Sequence, residues 1–282
     1  MKSKFINPFT DFGFKRIFLE EASKPLLIDF LNSLLPKNEA IHELKFKDKE
    51  KNGNSENDRK AVYDIFCETL EGEKFVVELQ KAKQNYFKDR TIFYSTFPIQ
   101  EQAQKGEWNY ELKAVYCIGI LDFTFNDYKN DPQQGEVIHT VQLKDQNNQL
   151  FYEKLKYIYL EMPNFTKTEV ELETRLDQWL YFIKNLEDFQ NIPAIFNDSI
   201  FIEAFAKAEI AKYSQEERAD YEDSLKIFRD NKAVIDTAYD DGKIEGKLEG
   251  KLETARQLIL LGIDIEIIIK STGLTKEAIN AL

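Results

Sequence analysis

Two apolar, strand-like runs near the middle of the chain are each interrupted by a carboxylate. This feature constrains the fold more than any other. Both runs lie in the stretch AVYDIFCETLEGEKFVVELQ, residues 61–80, with Asp64 in the first run and Glu78 in the second. Removing a carboxylate from water costs several kcal/mol unless it gains a partner, a cation or a proton. The stretch therefore predicts a largely buried hairpin whose two acidic residues need stabilisation beyond packing.

Gly72 sets the predicted register of this hairpin. Three-residue loops commonly end on a glycine in the left-handed conformation, so the loop is predicted to be 70–72. Thr69 then pairs with Glu73, and every further pair follows from that one.

In this register Asp64 lies directly opposite Glu78, with the Cβ atoms about 5 Å apart on one face. Val62 lies opposite Gln80, which shares the face of Glu78. A two-residue loop would instead place Leu79 opposite Asp64 and turn Glu78 to the other face. The turn chemistry favours the first register.

Two ionised carboxylates this close repel each other unless one is protonated or a cation lies between them. Hard divalent cations use such oxygen ligands together with water and phosphate oxygens. The two cysteines and two histidines are far apart in the sequence, which excludes a Cys/His zinc site and favours a reducing compartment. The residues alone leave two readings open: a metal site, or a solvent-facing hairpin edge, which the apolar run FVVEL makes awkward.

Elsewhere the chain alternates helical and strand-like patterns. Thr10 or Asp11 caps a first predicted helix, and Ser23 with Pro25 starts a second, which Pro36 ends. The other predicted elements are a strand over 41–49, a helix over 86–105 that Pro98 kinks or splits, strands over 114–123, 136–143 and 151–160, and helices from residue 171 onward. This order predicts an α/β fold with a mixed sheet flanked by helices and an all-helical C-terminal extension.

Three regions are predicted: a core over 1–165, a helical region over 166–240 and a tail over 241–282. The tail begins with the repeat GKIEGKLEGKLE and ends in a helical hairpin turning at Gly273. Each glycine costs a helix about 1 kcal/mol relative to alanine. Close approach of another helix, and hence self-association, would explain that cost; a solvated linker helix is the equal alternative.

The net charge of −12 is unevenly distributed. Residues 1–125 carry 19 basic and 20 acidic side chains, whereas residues 126–282 carry 19 and 30. A nucleic-acid partner for the first half is therefore not excluded. The N-terminus lacks the apolar core of a signal peptide, and the longest apolar stretch, 258–269, is too short to span a bilayer. We expect a cytoplasmic protein without a membrane partner.

The chain resembles the recombination-promoting nucleases and transposases of the PD-(D/E)XK nuclease superfamily. The resemblance rests on five blocks: DFGFKRIF at 11–18, RKAVYDIFCETLEGEKFVVELQ at 59–80, DRTIFYS at 89–95, KGEWNYELKAVYCIGILDF at 105–123, and TGLTKEAI at 272–279 after the glycine repeat. It implies a restriction-endonuclease-like core that hydrolyses DNA phosphodiester bonds with Mg²⁺ or Mn²⁺. DNA is then the implied partner, in recombination or mobile DNA.

The resemblance also implies residue roles. Asp64 and Glu78 would ligate the metal together with the backbone carbonyl of Leu79, and Gln80 occupies the position usually held by the motif lysine. Asp11 is a further candidate ligand, with a helix cap as its alternative role.

Other side chains are candidates for contacts with DNA: Lys15, Arg16, Lys60, Lys83, Arg90 and Tyr94. Glutamine can orient water but supplies no positive charge. Lys60 and Lys83 are the candidates to replace that charge, whereas strand alternation turns Lys81 to the face opposite Gln80. Two other functions remain open: a nucleic-acid-binding protein of the same fold that cuts weakly, and an oligomeric scaffold acting through the helical tail.

Overall fold

The chain divides into two compact units, Met1–Phe228 and Arg229–Leu282. The computed structural model describes residues 3–48, 50–51, 61–125 and 135–282. Helix α6 begins in the first unit and ends in the second. The site predicted from the hairpin belongs wholly to the first unit.

A mixed six-stranded sheet in the first unit has the order β1-β4-β5-β6-β8-β7, and β2 and β3 form a separate two-stranded sheet. The strand bounds are β1 Leu44–Phe46, β2 Glu50–Lys51, β3 Ala61–Val62, β4 Ile65–Thr69, β5 Lys74–Gln80, β6 Val115–Leu121, β7 Ile138–Lys144 and β8 Leu150–Glu161. Strand β6 pairs in parallel with β5 and β8, and the other neighbours are antiparallel. The predicted hairpin β4–β5 is thus interior to the sheet, which removes the solvent-facing edge as its explanation.

Helices flank this sheet as predicted. In the first unit these are α1 Asp11–Phe18, α2 Lys24–Leu34, α3 Phe87–Gln100, α4 Arg175–Asn185, α5 Ser199–Ala208 and the start of α6 Gln215–Leu260. The rest of α6, α7 Ile265–Thr272 and α8 Lys276–Asn280 belong to the second unit. Helix α3 runs through Pro98 to Gln100, so of the two predicted effects of this proline, a kink or a split, the split does not occur. The first strand is shorter than the predicted 41–49.

The two faces of the sheet bury different clusters. Phe75, Val77 and Leu79 of β5 pack into one cluster with α1, α2, α4 and α5. Val76 of β5 belongs to a second cluster that includes Phe87 of α3. Alternate β5 residues therefore face opposite helical layers, as the two-residue period of a strand requires.

Trp179 anchors the larger cluster. Its ring is fully buried against Phe18, Phe30 and Phe201, with centroids 4.7 to 5.8 Å apart. Its indole N–H donates to Asp29 over 2.6 Å, so the buried donor is satisfied. The part of the predicted helical region 166–240 that lies before Arg229 thus shares its core with the first two helices and the sheet.

In the second unit the glycine repeat lies within α6. A methyl group added at Gly242, Gly246 or Gly250 would meet no heavy atom of the described residues within 4 Å. The end of α6 packs on α7 and α8 through Ala255, Ile268 and other apolar side chains. Gly273 turns between α7 and α8 with φ of +68°, as predicted. Among the described residues, no helix is both long and apolar enough to span a membrane.

The start of α1 requires glycine at position 13. Thr10, rather than Asp11, is the N-cap; its hydroxyl accepts the Gly13 N–H over 2.9 Å and donates to the Asn7 carbonyl over 2.8 Å. A Cβ at Gly13 would collide with that carbonyl and lie 2.7 Å from Thr10 Oγ1.

We expect Gly13→Ala to lower the free energy of unfolding by about 3 kcal/mol, because it displaces the cap and overpacks a buried site. Thermal unfolding followed by circular dichroism measures the change. The matched variant is Gly246→Ala, where a methyl group meets nothing and removes a helix penalty of about 1 kcal/mol. Equal effects of the two substitutions would contradict this account of α1.

Candidate active site

The hairpin has the predicted register. Ile65 pairs with Val77, and the ladder continues to the pair Glu68–Lys74. The Thr69 N–H donates to the Glu73 carbonyl over 2.9 Å, and Gly72 has φ of +89°. The three-residue loop is therefore confirmed.

The ladder stops one pair short of Asp64 and Glu78, because the chain bends at Asp64. At this bend the Leu79 N–H donates to Asp64 Oδ2 over 2.7 Å. The carboxylate thus takes the place of the strand carbonyl that would continue the ladder. The predicted pairing of Val62 with Gln80 is wrong: Val62 pairs with Glu50 and is half exposed.

Glu78 is held by the same bend and by Gln80. The backbone N–H of Asp64 hydrogen-bonds to the Glu78 carboxylate. Gln80 Nε2 donates to Glu78 Oε2 over 3.1 Å from a buried position. Glu78 Oε1 is buried and has no hydrogen-bond partner among the described residues. Asp64 thus accepts a hydrogen bond from the Leu79 N–H of β5 and donates its own backbone N–H to Glu78 of the same strand. Glu78 Oε1 remains without a hydrogen bond from the described residues.

This arrangement makes ionisation of the pair costly. Burial raises the pKa of Glu78 well above its ordinary value, and the neighbouring Asp64 carboxylate raises it further. Burial also raises the pKa of Asp64, against the opposing effect of the Leu79 N–H. Both shifts favour a proton or a cation at the pair.

The bend also changes which side of the sheet Asp64 approaches. Tyr63 and Phe66 share the cluster on the α3 side, although strict alternation would put them on opposite faces. The charged neighbours of Asp64 are Asp11 and Lys15 of α1 together with Lys81. Asp64 therefore also faces the α1 side, whereas alternation along β5 keeps Gln80 with Glu78.

Two predicted DNA-contacting residues lie on α3 near Glu78. The Arg90 guanidinium lies 5.5 Å from the centroid of the Tyr94 ring and lowers the pKa of Glu78 through its charge. Arg90 also donates to Gln84 over 2.6 Å. Both side chains are partly buried.

The candidates on α1 are engaged in ion pairs. Lys15 pairs with Asp11 over 2.6 Å, and Arg16 pairs with Glu20 over 2.5 Å and with Glu217 over 3.0 Å.

Lys83 is exposed after the end of β5. Lys60 lies outside the described residues. The structure thus brings Asp64, Glu78 and Gln80 together and puts the described basic candidates on α1, on α3 and after the end of β5.

The chain matches the family model described as PD-(D/E)XK nuclease family transposase over residues 8–238. That match covers most of the chain and includes the hairpin, α1 and α3. The chain belongs to this family. No curated protein and no solved structure matches the chain.

Membership of a nuclease family of transposases supports a nuclease role in mobile DNA, and it implies DNA as the substrate. The mixed six-stranded sheet flanked by helices agrees with the restriction-endonuclease-like core of such nucleases. PD-(D/E)XK nucleases generally use divalent metal ions, and Asp64 with Glu78 is the acidic pair that could hold one in this chain.

Asp64 and Glu78 fit a divalent cation in donor chemistry. A buried, unpartnered carboxylate oxygen beside a second carboxylate is a favourable place for a hard cation. Leu79 directs its carbonyl to the same strand edge as its N–H, which binds Asp64. The described residues hold no group of three or more His, Cys, Asp or Glu side chains suited to a metal, so Asp11 does not complete a set of acidic ligands.

Lys81 is the residue that sequence reasoning undervalued. Burial lowers its pKa, against the opposing charges of Asp11 and Asp64. Strand alternation correctly predicts that Lys81 faces away from Gln80, toward α1. The bend that brings Asp64 to the α1 side as well has no sequence signal that we recognise.

We expect the pH dependence of stability to identify the Glu78 proton. Without metal, folded wild type keeps this proton above the ordinary glutamate pKa of 4.5, whereas the unfolded chain loses it. The folded state then binds more protons, so its free energy of unfolding falls as pH rises from about 5, by up to about 1.4 kcal/mol per pH unit.

Glu78→Gln removes the contribution of Glu78 to this slope, because glutamine does not ionise, and leaves the contribution of Asp64. Urea unfolding in EDTA at several pH values measures the difference between wild type and variant. The control is Glu43→Gln, at an exposed position before β1. Identical pH profiles for wild type and Glu78→Gln would contradict the raised pKa.

Proposed function

We propose that the chain is a divalent-metal-dependent DNA endonuclease that hydrolyses phosphodiester bonds in recombination or mobile DNA. Asp64 and Glu78 hold Mg²⁺ or Mn²⁺ in this proposal, with the Leu79 carbonyl as a third ligand. The observation that carries it is the buried Glu78 Oε1, which has no hydrogen-bond partner among the described residues and adjoins the Asp64 carboxylate.

The backbone of Leu79 and the side chain of Gln80 hold the two carboxylates in place. The Leu79 N–H fixes one oxygen of Asp64, and Gln80 fixes one oxygen of Glu78, so the remaining oxygens are oriented in advance. A bound divalent ion supplies Lewis-acid stabilisation of the phosphate and lowers the pKa of an attacking water. Gln80 also retains an amide oxygen that can accept a hydrogen bond from water.

Arg90 contributes from the α3 side. Its guanidinium is partly buried beside Tyr94, and its charge reaches Glu78. A guanidinium in this environment suits a phosphate oxygen, because it donates hydrogen bonds in a planar fork. Arg90 and Tyr94 would thus fix the DNA backbone on the side of the sheet that Glu78 faces.

We expect the wild-type protein to nick supercoiled plasmid in Mg²⁺ or Mn²⁺ and to be inactive in EDTA. Asp64→Asn and Glu78→Gln keep the side-chain shape and remove a negative ligand, so each should reduce cleavage by at least about 100-fold. Glu43→Gln, an exposed carboxylate outside the site, should cut like wild type.

Each alternative outcome has a distinct meaning. Full cleavage by Asp64→Asn would reject the assigned site. Metal-dependent DNA binding without cleavage by any variant would favour the weakly cutting DNA-binding protein, and neither binding nor cleavage would favour the scaffold.

Gln80→Lys is expected to retain or increase cleavage. The new ammonium would take the position of the Gln80 amide and pair with Glu78, replacing one hydrogen bond by a charge-assisted one. Initial rates of plasmid nicking compare the two proteins, and thermal unfolding confirms that the variant is folded. A complete loss of cleavage in a folded Gln80→Lys protein would show that glutamine itself is required there.

A further inference from the structure

Lys81 follows the last residue of β5 and continues the face of the strand that carries Phe75, Val77 and Leu79. That face packs toward α1, and Lys81 lines an open groove there together with Lys15. Glu78 and Gln80 occupy the opposite face. The Lys81 ammonium therefore lies on the α1 side of the sheet, whereas Gln80 lies on the α3 side.

The bend at Asp64 brings the carboxylate of that residue within reach of this charge. Lys81 and Lys15 both interact electrostatically with the Asp64 carboxylate. The Leu79 N–H holds that carboxylate against β5, two residues before Lys81. Asp64 is therefore shared between the two sides of the sheet.

Lys81 differs from the other two basic residues of the groove, Lys15 and Arg16, in having no close ion pair among the described residues. Lys15 is paired with Asp11, and Arg16 is paired with Glu20 and Glu217. The half-buried Lys81 side chain makes no hydrogen bond or close ion pair with any residue in the described part of the chain, although the charges of Asp11 and Asp64 attract it from a longer distance. A half-buried ammonium without such a partner is costly and gains from a bound anion.

The groove has room for a phosphodiester. Its volume is about 650 Å³, and α1 and α6 line it together with Lys81. The α6 side carries Glu217, Asp220 and Asp223, so that side repels a DNA backbone. The α1 side adds the acidic Asp11 and Glu20. The basic residues of the lining are Lys15, Arg16 and Lys81, which limits the contact to one or two phosphate groups.

We propose that the Lys81 ammonium binds a non-bridging oxygen of the DNA phosphate at Asp64 and supplies, from the α1 side, the positive charge that Gln80 lacks. The inference rests on the proposed nuclease function and deepens it. In this role the Lys81 ammonium donates a hydrogen bond to the phosphate and offsets the charge that develops on it during hydrolysis.

The first test measures DNA binding without catalysis. Wild type, Lys81→Gln, Lys81→Arg and Lys144→Gln are titrated with a fluorescently labelled 20-base-pair duplex in EDTA at several salt concentrations. Lys144 is exposed at the end of β7, at the edge of the sheet, and serves as the matched charge control.

Lys81→Gln should bind roughly fivefold more weakly than the control, and the slope of log affinity against log salt should fall by about one. Lys81→Arg should bind like wild type. A Lys81→Gln protein with the affinity and salt slope of Lys144→Gln overturns the proposal, and so does a wild type that binds no DNA. Lys81→Met, which keeps the apolar stem, replaces Lys81→Gln if the latter does not fold.

The second test measures single-turnover cleavage in Mg²⁺. Lys81→Gln should lower the rate about 10- to 100-fold at saturating protein, and Lys81→Arg should recover most of it. Unchanged cleavage by a folded Lys81→Gln protein overturns the proposal. A wild type that cuts nothing in Mg²⁺ or Mn²⁺ instead rejects the nuclease function, and the binding comparison alone then decides the Lys81 contact.

Discussion

The hydrogen bond from the Leu79 N–H to Asp64 Oδ2 organises the whole site. It ends the β4–β5 ladder, replaces a backbone acceptor by a carboxylate, and places the Asp64 N–H where it can hydrogen-bond to Glu78. An amide bound to a charged acceptor is worth more than an ordinary ladder bond. The bend therefore offsets part of the desolvation cost of the acidic pair and leaves the rest to a cation or a proton.

The surrounding fold makes this local arrangement rigid. Strands β4 and β5 are interior strands, and their two faces are covered by separate aromatic-rich clusters. Close packing on both sides fixes the strand backbone, so the site inherits its geometry from the core. Trp179 of α4 donates a hydrogen bond to Asp29 of α2 and packs against Phe18 of α1. These contacts join α1 to two further helices of the same core.

Much of this architecture follows from local sequence rules. Gly72 determined the hairpin register, because a left-handed residue at the end of a three-residue loop leaves one pairing. The buried strand β6 and the hairpin at Gly273 were likewise indicated by apolar runs and by turn chemistry. Boundaries were less accurate: Pro98 did not split α3, and the Tyr94 carbonyl that its missing N–H leaves free accepts the Tyr63 hydroxyl over 2.9 Å.

The parts that sequence reasoning missed depend on tertiary geometry. Strand alternation predicts that Tyr63 and Phe66 face opposite ways, yet the bend puts both in one cluster. The same bend turns Asp64 toward α1 and makes Lys81 its neighbour. Thr10 prevailed over Asp11 as the cap because its hydroxyl bonds both Gly13 and the Asn7 carbonyl, a contact that propensity alone does not reveal.

The acidic pair, the glutamine and the lysine beside them all lie within residues 64–81. A centre encoded in one short, contiguous block can be inherited intact while distant segments diverge. Substitutions elsewhere in the chain then leave the spacing of these four residues unchanged.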